Sequence, residues 1–162
     1  MRKIRVFICL ICALLLDQVV KLWAVSYLRV HGPIPIIKNV LELLYVENRG
    51  AAFGIFQNKQ WFFALISIVV LIIIAVISHR IPADQRYQPL RICLFFICAG
   101  AIGNLIDRVI RRYVVDFIFF NFINFPVFNV ADIYVTVSIF FLLLLIMFHY
   151  SEEELDGIFK KR

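Results

Sequence analysis

Apolar residues dominate four stretches of this chain, about Val6 to Tyr27, Trp61 to Ser78, Arg91 to Asp107 and Phe128 to Tyr150, and polar residues cluster between them. An α-helix rises 1.5 Å per residue, so crossing a bilayer takes roughly 20 mostly apolar residues. Each stretch reaches or nearly reaches that length. The pattern predicts an all-α membrane protein with four transmembrane helices in one domain, residues 1–162. Between the first two spans, Val40 to Glu47 has the β-favouring residues of a short strand or hairpin, and Asn48 to Gly54 then supplies a turn with two glycines. A small β-rich region is therefore expected there, resting on the membrane surface over any site beneath it. Val114 to Phe128 is too apolar for an aqueous loop and is expected along the headgroup boundary or against other helices. The tail Ser151 to Asp156 reads as a solvated helix end.

Composition agrees with the pattern: 63% of the 162 residues are hydrophobic and 17% charged, more apolar surface than a soluble domain of this size can bury. The basic N-terminus and apolar run to Leu16 also fit a secretory signal peptide. Asp17-Gln18-Val-Val-Lys21 stands where a small-residue cleavage site would be, so the segment reads as a retained span. Lys and Arg in short flanking loops set orientation. They are denser around Arg2, Lys3, Arg5, Arg80, Arg86, Arg91 and Lys160, Lys161, Arg162 than on the other side, which predicts both termini in the cytoplasm and the β-rich region in the periplasm. The net charge of +6 favours anionic lipid headgroups, and no motif points to nucleic acid. Cys9, Cys12, Cys93 and Cys98 read as small buried apolar residues, and none has the setting of a lipoprotein's own lipidated cysteine.

The unusual polar residues converge on one depth. Asp17 and Lys21 come about 11 and 15 residues up the first helix, at the midplane or in its outer half. Asn104, Asp107 and Arg108 fall at the outer end of the third helix, Asp116 follows in the outer stretch, and Asn129 with Asp132 opens the fourth helix from the same side. Ionisable groups in such surroundings cost several kcal/mol on most estimates and mark function by default. Local explanations exist for some. Asp17 and Lys21 at i and i+4 can form an intrahelical ion pair, Asn129 and Asp132 resemble a helix N-cap with an acidic first turn, and Asp107 and Arg108 can act as interfacial anchors. Asp116, between Val114-Val115 and Phe117-Ile118, has neither a cap to make nor an i+4 partner.

Two carboxylates close together in a poorly hydrated site cannot both ionise readily, so the pair shares a proton. If Asp116 faces Asp132, one is a base that activates water and the other an acid that hydrogen-bonds a peptide carbonyl and protonates the leaving amine. Asn and Arg side chains nearby would orient the scissile segment. His31, His79 and His149 are scattered, there is no Ser or Cys beside a His, and neither a zinc motif nor a Gly-rich phosphate loop occurs.

In order, Asp17-Gln-Val-Val-Lys21, Asn48-Arg-Gly-Ala-Ala-Phe-Gly54, Gly100-Ala-Ile-Gly-Asn104-Leu-Ile-Asp107-Arg108, Val114-Val-Asp116-Phe-Ile and Phe128-Asn129-Val-Ala-Asp132 resemble the prolipoprotein signal peptidases, lipoprotein signal peptidase II. The resemblance implies a bacterial inner-membrane aspartic endopeptidase that cleaves diacylglyceryl-modified prolipoproteins just before the lipidated cysteine, with Asp116 and Asp132 as the catalytic dyad. It assigns Asn48, Asn104, Arg108, Asn129 and Gly54 to the polar surround that binds substrate or shapes the site, and Asp17, Lys21 and Asp107 to its support. It implies inhibition by the cyclic peptide globomycin; no cofactor or metal is expected from the residues, and a monomer is the default expectation. Ala99 departs from the further glycine many members carry and bears on helix packing. Two other readings are a proton- or ion-coupled transport component relaying through Asp17, Asp116 and Asp132, and a lipid phosphotransferase holding Mg²⁺ on Asp107, Asp116 and Asp132. The transport reading predicts polar residues along the whole depth, which the cytoplasmic halves of the helices lack.

Overall fold

The first helix, α1 (Arg2–Trp23), does not stop where its apolar run thins. A π-helical turn, Ala24–Leu28, and a last turn, α2 (Arg29–His31), carry it on to Gly32. Gly32 has φ of 85°, a conformation disfavoured by any side chain, and its N–H bonds the Leu28 carbonyl at 3.0 Å, closing the helix. The structure is a computed structural model that describes residues 2–50 and 59–159; the expected site residue Gly54 and most of its turn lie outside those residues.

Beyond Gly32 the strand expected over Val40 to Glu47 forms as the second arm of a hairpin whose first arm, Ile34–Ile37, lies before the expected segment. Strand β1 (Ile34–Ile37) turns at Asn39, whose φ of 60° suits an asparagine, and returns as β2 (Leu41–Asn48). Helix α3 (Gln60–Arg80) and helix α4 (Gln88–Ile110) follow, joined through Asp84, whose carboxylate accepts from Arg86 N–H at 2.8 Å. The stretch after α4 departs from expectation. Val114–Phe120 is a third strand, β3, which pairs antiparallel with β2 in a sheet of order β1-β2-β3. Its sequence runs apolar without alternation because Val114, Val115 and Phe117 are all buried, on both faces of the strand. Helices α5 (Val130–Phe148) and α6 (Glu152–Phe159) complete the chain.

Among the described residues four helices are long and apolar enough to cross a membrane: Ile4–His31, Gln60–Arg80, Gln85–Ile110 and Val130–Phe148. Their outward faces carry exposed Leu65, Ile72 and Ile73 on α3 and Phe140, Phe141 and Leu143 on α5, surface suited to lipid chains rather than water. Helix α4 packs against α1, α3 and α5 and so occupies the centre. One apolar cluster, with Ile74, Leu90, Leu94 and Ile97, lies at the end away from the sheet; another, Ala24, Leu28, Val115 and Phe117, ties the sheet to α1.

Two sequence expectations need correction. The tail is not merely a solvated helix end: Ile158 and Leu155 stand three residues apart and pack α6 onto the core at Ile74, Ile81 and Tyr150, while Glu154 pairs with Arg86 at 2.9 Å. The cysteines do not share one environment. Cys93 is buried and Cys98 partly so, but Cys9 and Cys12 point outward from α1, where the surroundings of a spanning helix are themselves apolar.

Close approach of α4 to α5 depends on Gly100. A Cβ there would run into the Ala131 carbonyl oxygen and stand 2.6 Å from the Val135 side chain. The carbonyl belongs to helix backbone and cannot swing aside. Gly100→Ala should therefore destabilise the fold by about 1–3 kcal/mol, read as a lowered thermal unfolding midpoint in detergent; an unchanged midpoint would show that α5 shifts freely. Ala99 is buried at 1% exposure, so its methyl group is accommodated in the same packing.

Candidate active site

The sheet and the helix ends meet over α4, and this junction brings Asp116 and Asp132 to one place. Asp116 lies on β3 opposite Val46, so Asn48, two residues further along β2, shares its face of the sheet. The Asn48 amide donates to Asp116 Oδ2 at 2.8 Å. Immediately beyond Asp116 the strand is stitched to the start of α5. Ile118 N–H bonds the Phe128 carbonyl at 2.9 Å, and Phe128 N–H returns to Ile118 at 3.0 Å.

That stitch delivers Asn129 as the N-cap of α5. Its side chain accepts from Asp132 N–H at 3.1 Å, and Asp132 Oδ2 accepts from Asn129 N–H at 3.1 Å, a reciprocal capping box. The capping role does not exhaust either residue. Asn129 Nδ2 donates to Asp116 Oδ1 at 2.6 Å, and Asn104 Nδ2 donates to Asp132 Oδ1 at 2.7 Å. Asn129 Nδ2 also lies 3.3 Å from Asn104 Oδ1, so two linked amides hold the two carboxylates. Asp116 is 2% exposed, whereas Asp132 keeps part of its surface open.

Burial, and next the negative charge of Asp132, raise Asp116 from the usual carboxylate range to about 7. The amide bonds from Asn48 and Asn129 and the more distant Lys21 pull the other way without cancelling the rise. A carboxyl poised there exchanges a proton at neutral pH. Arg108 faces the same space, within electrostatic reach of Asp132, Asp116 and Asp107, with its guanidinium 5.6 Å over the Phe63 ring and one nitrogen donating to the Asn104 carbonyl at 3.3 Å.

Beneath the pair is a second, fully buried layer. Lys21 Nζ lies 3.0 Å from Asp17 Oδ2, 3.0 Å from Asp107 Oδ2 and 2.9 Å from Asn104 Oδ1. Asp17 Oδ1 also accepts from Ala131 N–H at 2.9 Å in the first turn of α5, and Asp107 accepts from Val115 N–H at 3.2 Å and pairs with Arg111. Two aspartates are thus balanced by one lysine and one arginine, and every oxygen of both carboxylates is engaged. Asp107 is a cross-link from α4 to β3 rather than an interfacial anchor. It contributes its oxygens to cations and a backbone donor, away from the Asp116–Asp132 pair, so the three aspartates of the Mg²⁺ reading do not converge. Among the described residues no group of three or more His, Cys, Asp and Glu side chains could hold a metal ion.

Sequence reasoning singled out most of these residues but missed Arg111 and Gln18. Arg111 stands four residues after Asp107, the same spacing that marked Asp17 and Lys21. Gln18 donates to Asp17 at 3.0 Å and to the Gly103 carbonyl at 3.2 Å, and nothing in its type or position distinguishes it beforehand. Gly103 itself makes room for Asp17, whose Oδ2 would lie 2.6 Å from a Cβ there.

The chain is similar to known proteins over nearly its full length. The description of the family Signal peptidase (SPase) II matches residues 9–148. A lipoprotein signal peptidase of Clostridium tetani is 43% identical over 143 residues, covering 86% of this chain and 90% of its own. Another, from Caldanaerobacter subterraneus subsp. tengcongensis, is 48% identical over 134 residues, covering 82% of this chain and 89% of its own. A bacterial membrane enzyme solved by the in meso method superposes with a TM-score of 0.77 at 29% identity, covering 98% of this chain and 92% of that one. With four apolar helices, a three-stranded sheet and these likenesses, the chain is a multi-pass membrane protein that belongs to the signal peptidase II family of lipoprotein signal peptidases.

Proposed function

We propose that this protein is an aspartic endopeptidase that removes the signal peptide from diacylglyceryl-modified prolipoproteins, cutting just before the lipidated cysteine with a water activated between Asp116 and Asp132. The observation that carries the reading is the linked pair of amides, Asn104 and Asn129, that holds both carboxylates while Asp116 sits near neutrality. One carboxylate takes a proton from water as its oxygen attacks the carbonyl carbon. The other, protonated, hydrogen-bonds the carbonyl oxygen and then donates to the nitrogen of the departing cysteine, so that water is added across the C–N bond. Arg108 and Asn48 orient the extended segment. Lys21, Asp17 and Asp107 keep Asn104, α5 and β3 in place.

The protein lies in the bacterial inner membrane with both termini cytoplasmic and the sheet and dyad at the periplasmic boundary. Basic residues crowd the opposite loops, as that orientation requires. A lipidated signal peptide is an apolar helix whose scissile bond stands at the same depth as the dyad. The protein acts as a monomer without metal or cofactor, and globomycin blocks it.

Purified protein in detergent with excess chelator, given a diacylglyceryl-modified prolipoprotein, should release two products whose masses place the cut before the modified cysteine. The unmodified precursor should remain intact. Cleavage elsewhere, loss of cleavage with chelator, or equal cleavage of the unlipidated precursor would overturn the reading.

A further inference from the structure

Gln60 opens α3 and is only 7% exposed, yet among the described residues neither its amide oxygen nor its amide nitrogen has a hydrogen-bond partner. Its neighbours Trp61 and Phe62 point outward at 61% and 50% exposure, and Ala64 is buried, so Gln60 faces inward on the side of α3 that also presents Phe63 to Arg108. Arg108 has the same defect: its Nε is buried and unpaired. The sequence reading gave Gln60 no role. Buried polar atoms are nearly always satisfied, because one that is not has lost its water without gaining a partner. Among the described residues the amide nitrogen and oxygen of Gln60 thus stand unmet on the face of α3 turned toward Arg108, whose own Nε is unmet and whose charge is within electrostatic reach of Asp116 and Asp132.

A ligand that satisfies both ends of a carboxamide must offer a donor and an acceptor side by side. One residue of an extended peptide does so, because its own N–H and C=O project from the same edge of the strand; the ester groups of a diacylglyceryl chain offer acceptors only and would leave Gln60 Oε1 unpaired. Resting on the endopeptidase reading above, we propose that Gln60 is a substrate-positioning residue of this protein, its carboxamide pairing with the N–H and C=O of one residue of the extended segment that reaches the dyad, with Arg108 Nε donating to an adjacent carbonyl. The orphaned atoms are a surface left open for the substrate backbone.

The test uses wild type, Gln60→Leu and Gln60→Glu in detergent, with unfolding midpoints and steady-state cleavage of diacylglyceryl-modified prolipopeptides. Gln60→Leu removes an unsatisfied group at nearly equal volume and should raise the midpoint by about 2 °C or more, while raising KM about tenfold, the loss expected for one or two hydrogen bonds, with kcat within twofold. Gln60→Glu keeps an acceptor but loses the donor and should also raise KM. The KM increase should persist when the lipid is ether-linked and lacks ester carbonyls. An unchanged KM, a lowered midpoint in Gln60→Leu, or an effect that vanishes with the ether lipid would overturn the proposal. Absence of cleavage by wild type would instead fail the endopeptidase reading itself, so the two failures are distinct.

Discussion

Replacing Asp116 by Asn, or Asp132 by Asn, should lower kcat by about three orders of magnitude or more, with each variant still folded. In the proposed mechanism each carboxylate has its own task in a shared-proton pair, so removing either disables the base together with its matched acid. The double variant should therefore be little worse than either single one. The wild-type rate should also fall as pH rises through about 7, because Asp116 then ionises and the pair loses its proton. Stability gives an independent reading. The folded protein holds the Asp116 proton more tightly than an unfolded chain does, so this group favours folding below pH 3.8, and its contribution is lost as pH rises from there through about 7. The loss is ~1.4 kcal/mol per pH unit within that window, and it disappears in Asp116→Asn. The variant should thus gain on wild type in unfolding midpoint between pH 5 and pH 8. If Asp116→Asn cleaves at near wild-type rate, or if its midpoint tracks the wild type at all pH values, the shared-proton pair is wrong.

The helices were legible because an apolar run of spanning length has few other uses, and strand β2 because β-favouring residues ran up to turn residues; β1, only four residues with a proline inside it, was not. Strand β3 was not. It is apolar on both faces, and the periodicity that separates strand from interfacial coil vanishes when both faces are buried. The site was legible for a related reason: Asp116 breaks an apolar run where no local role explains it. Asn129 and Asp132 were harder to interpret, since their N-cap spacing accounts for them fully in sequence terms, and in the structure they do cap α5. Only the fold shows that the same amide also reaches Asp116 across the gap between α5 and β3. Gln18 and Gln60 illustrate what sequence cannot carry, because a glutamine's meaning lies in what stands opposite it. For Gln18 that is an aspartate and a carbonyl from another helix; for Gln60 it is nothing within the described residues.

Lys21→Met should be the most destabilising single change in the buried layer, lowering stability by about 3–5 kcal/mol and abolishing the fold if the reserve is smaller than that. The lysine is fully buried, and its ammonium group stands between Asp17 and Asp107 and donates to Asn104. Methionine fills the volume but leaves two carboxylates facing one another without a cation, in surroundings where desolvation makes unpaired charge very costly. Asp107 retains Arg111 and so suffers less; Asp17 retains only hydrogen-bond donors, Ala131 N–H and Gln18. Adding Asp17→Asn to Lys21→Met should consequently recover about 1–3 kcal/mol, a non-additivity measurable in a double-mutant cycle of unfolding free energies. Lys21→Arg should not substitute, because a larger planar guanidinium does not match a fully buried position where one compact ammonium meets Asp17, Asp107 and Asn104 at about 3 Å. The damage should also reach the chemistry. Without the ammonium, Asn104 Oδ1 loses the nearer of its two donors and keeps only the Asn129 amide at 3.3 Å, and the Asn104 amide is what holds Asp132 Oδ1 at 2.7 Å. A Lys21→Met protein that keeps its unfolding midpoint within a few degrees of wild type would show that the buried layer carries no such charge, whereas the geometry requires a cation wherever two ionised carboxylates share so small a space.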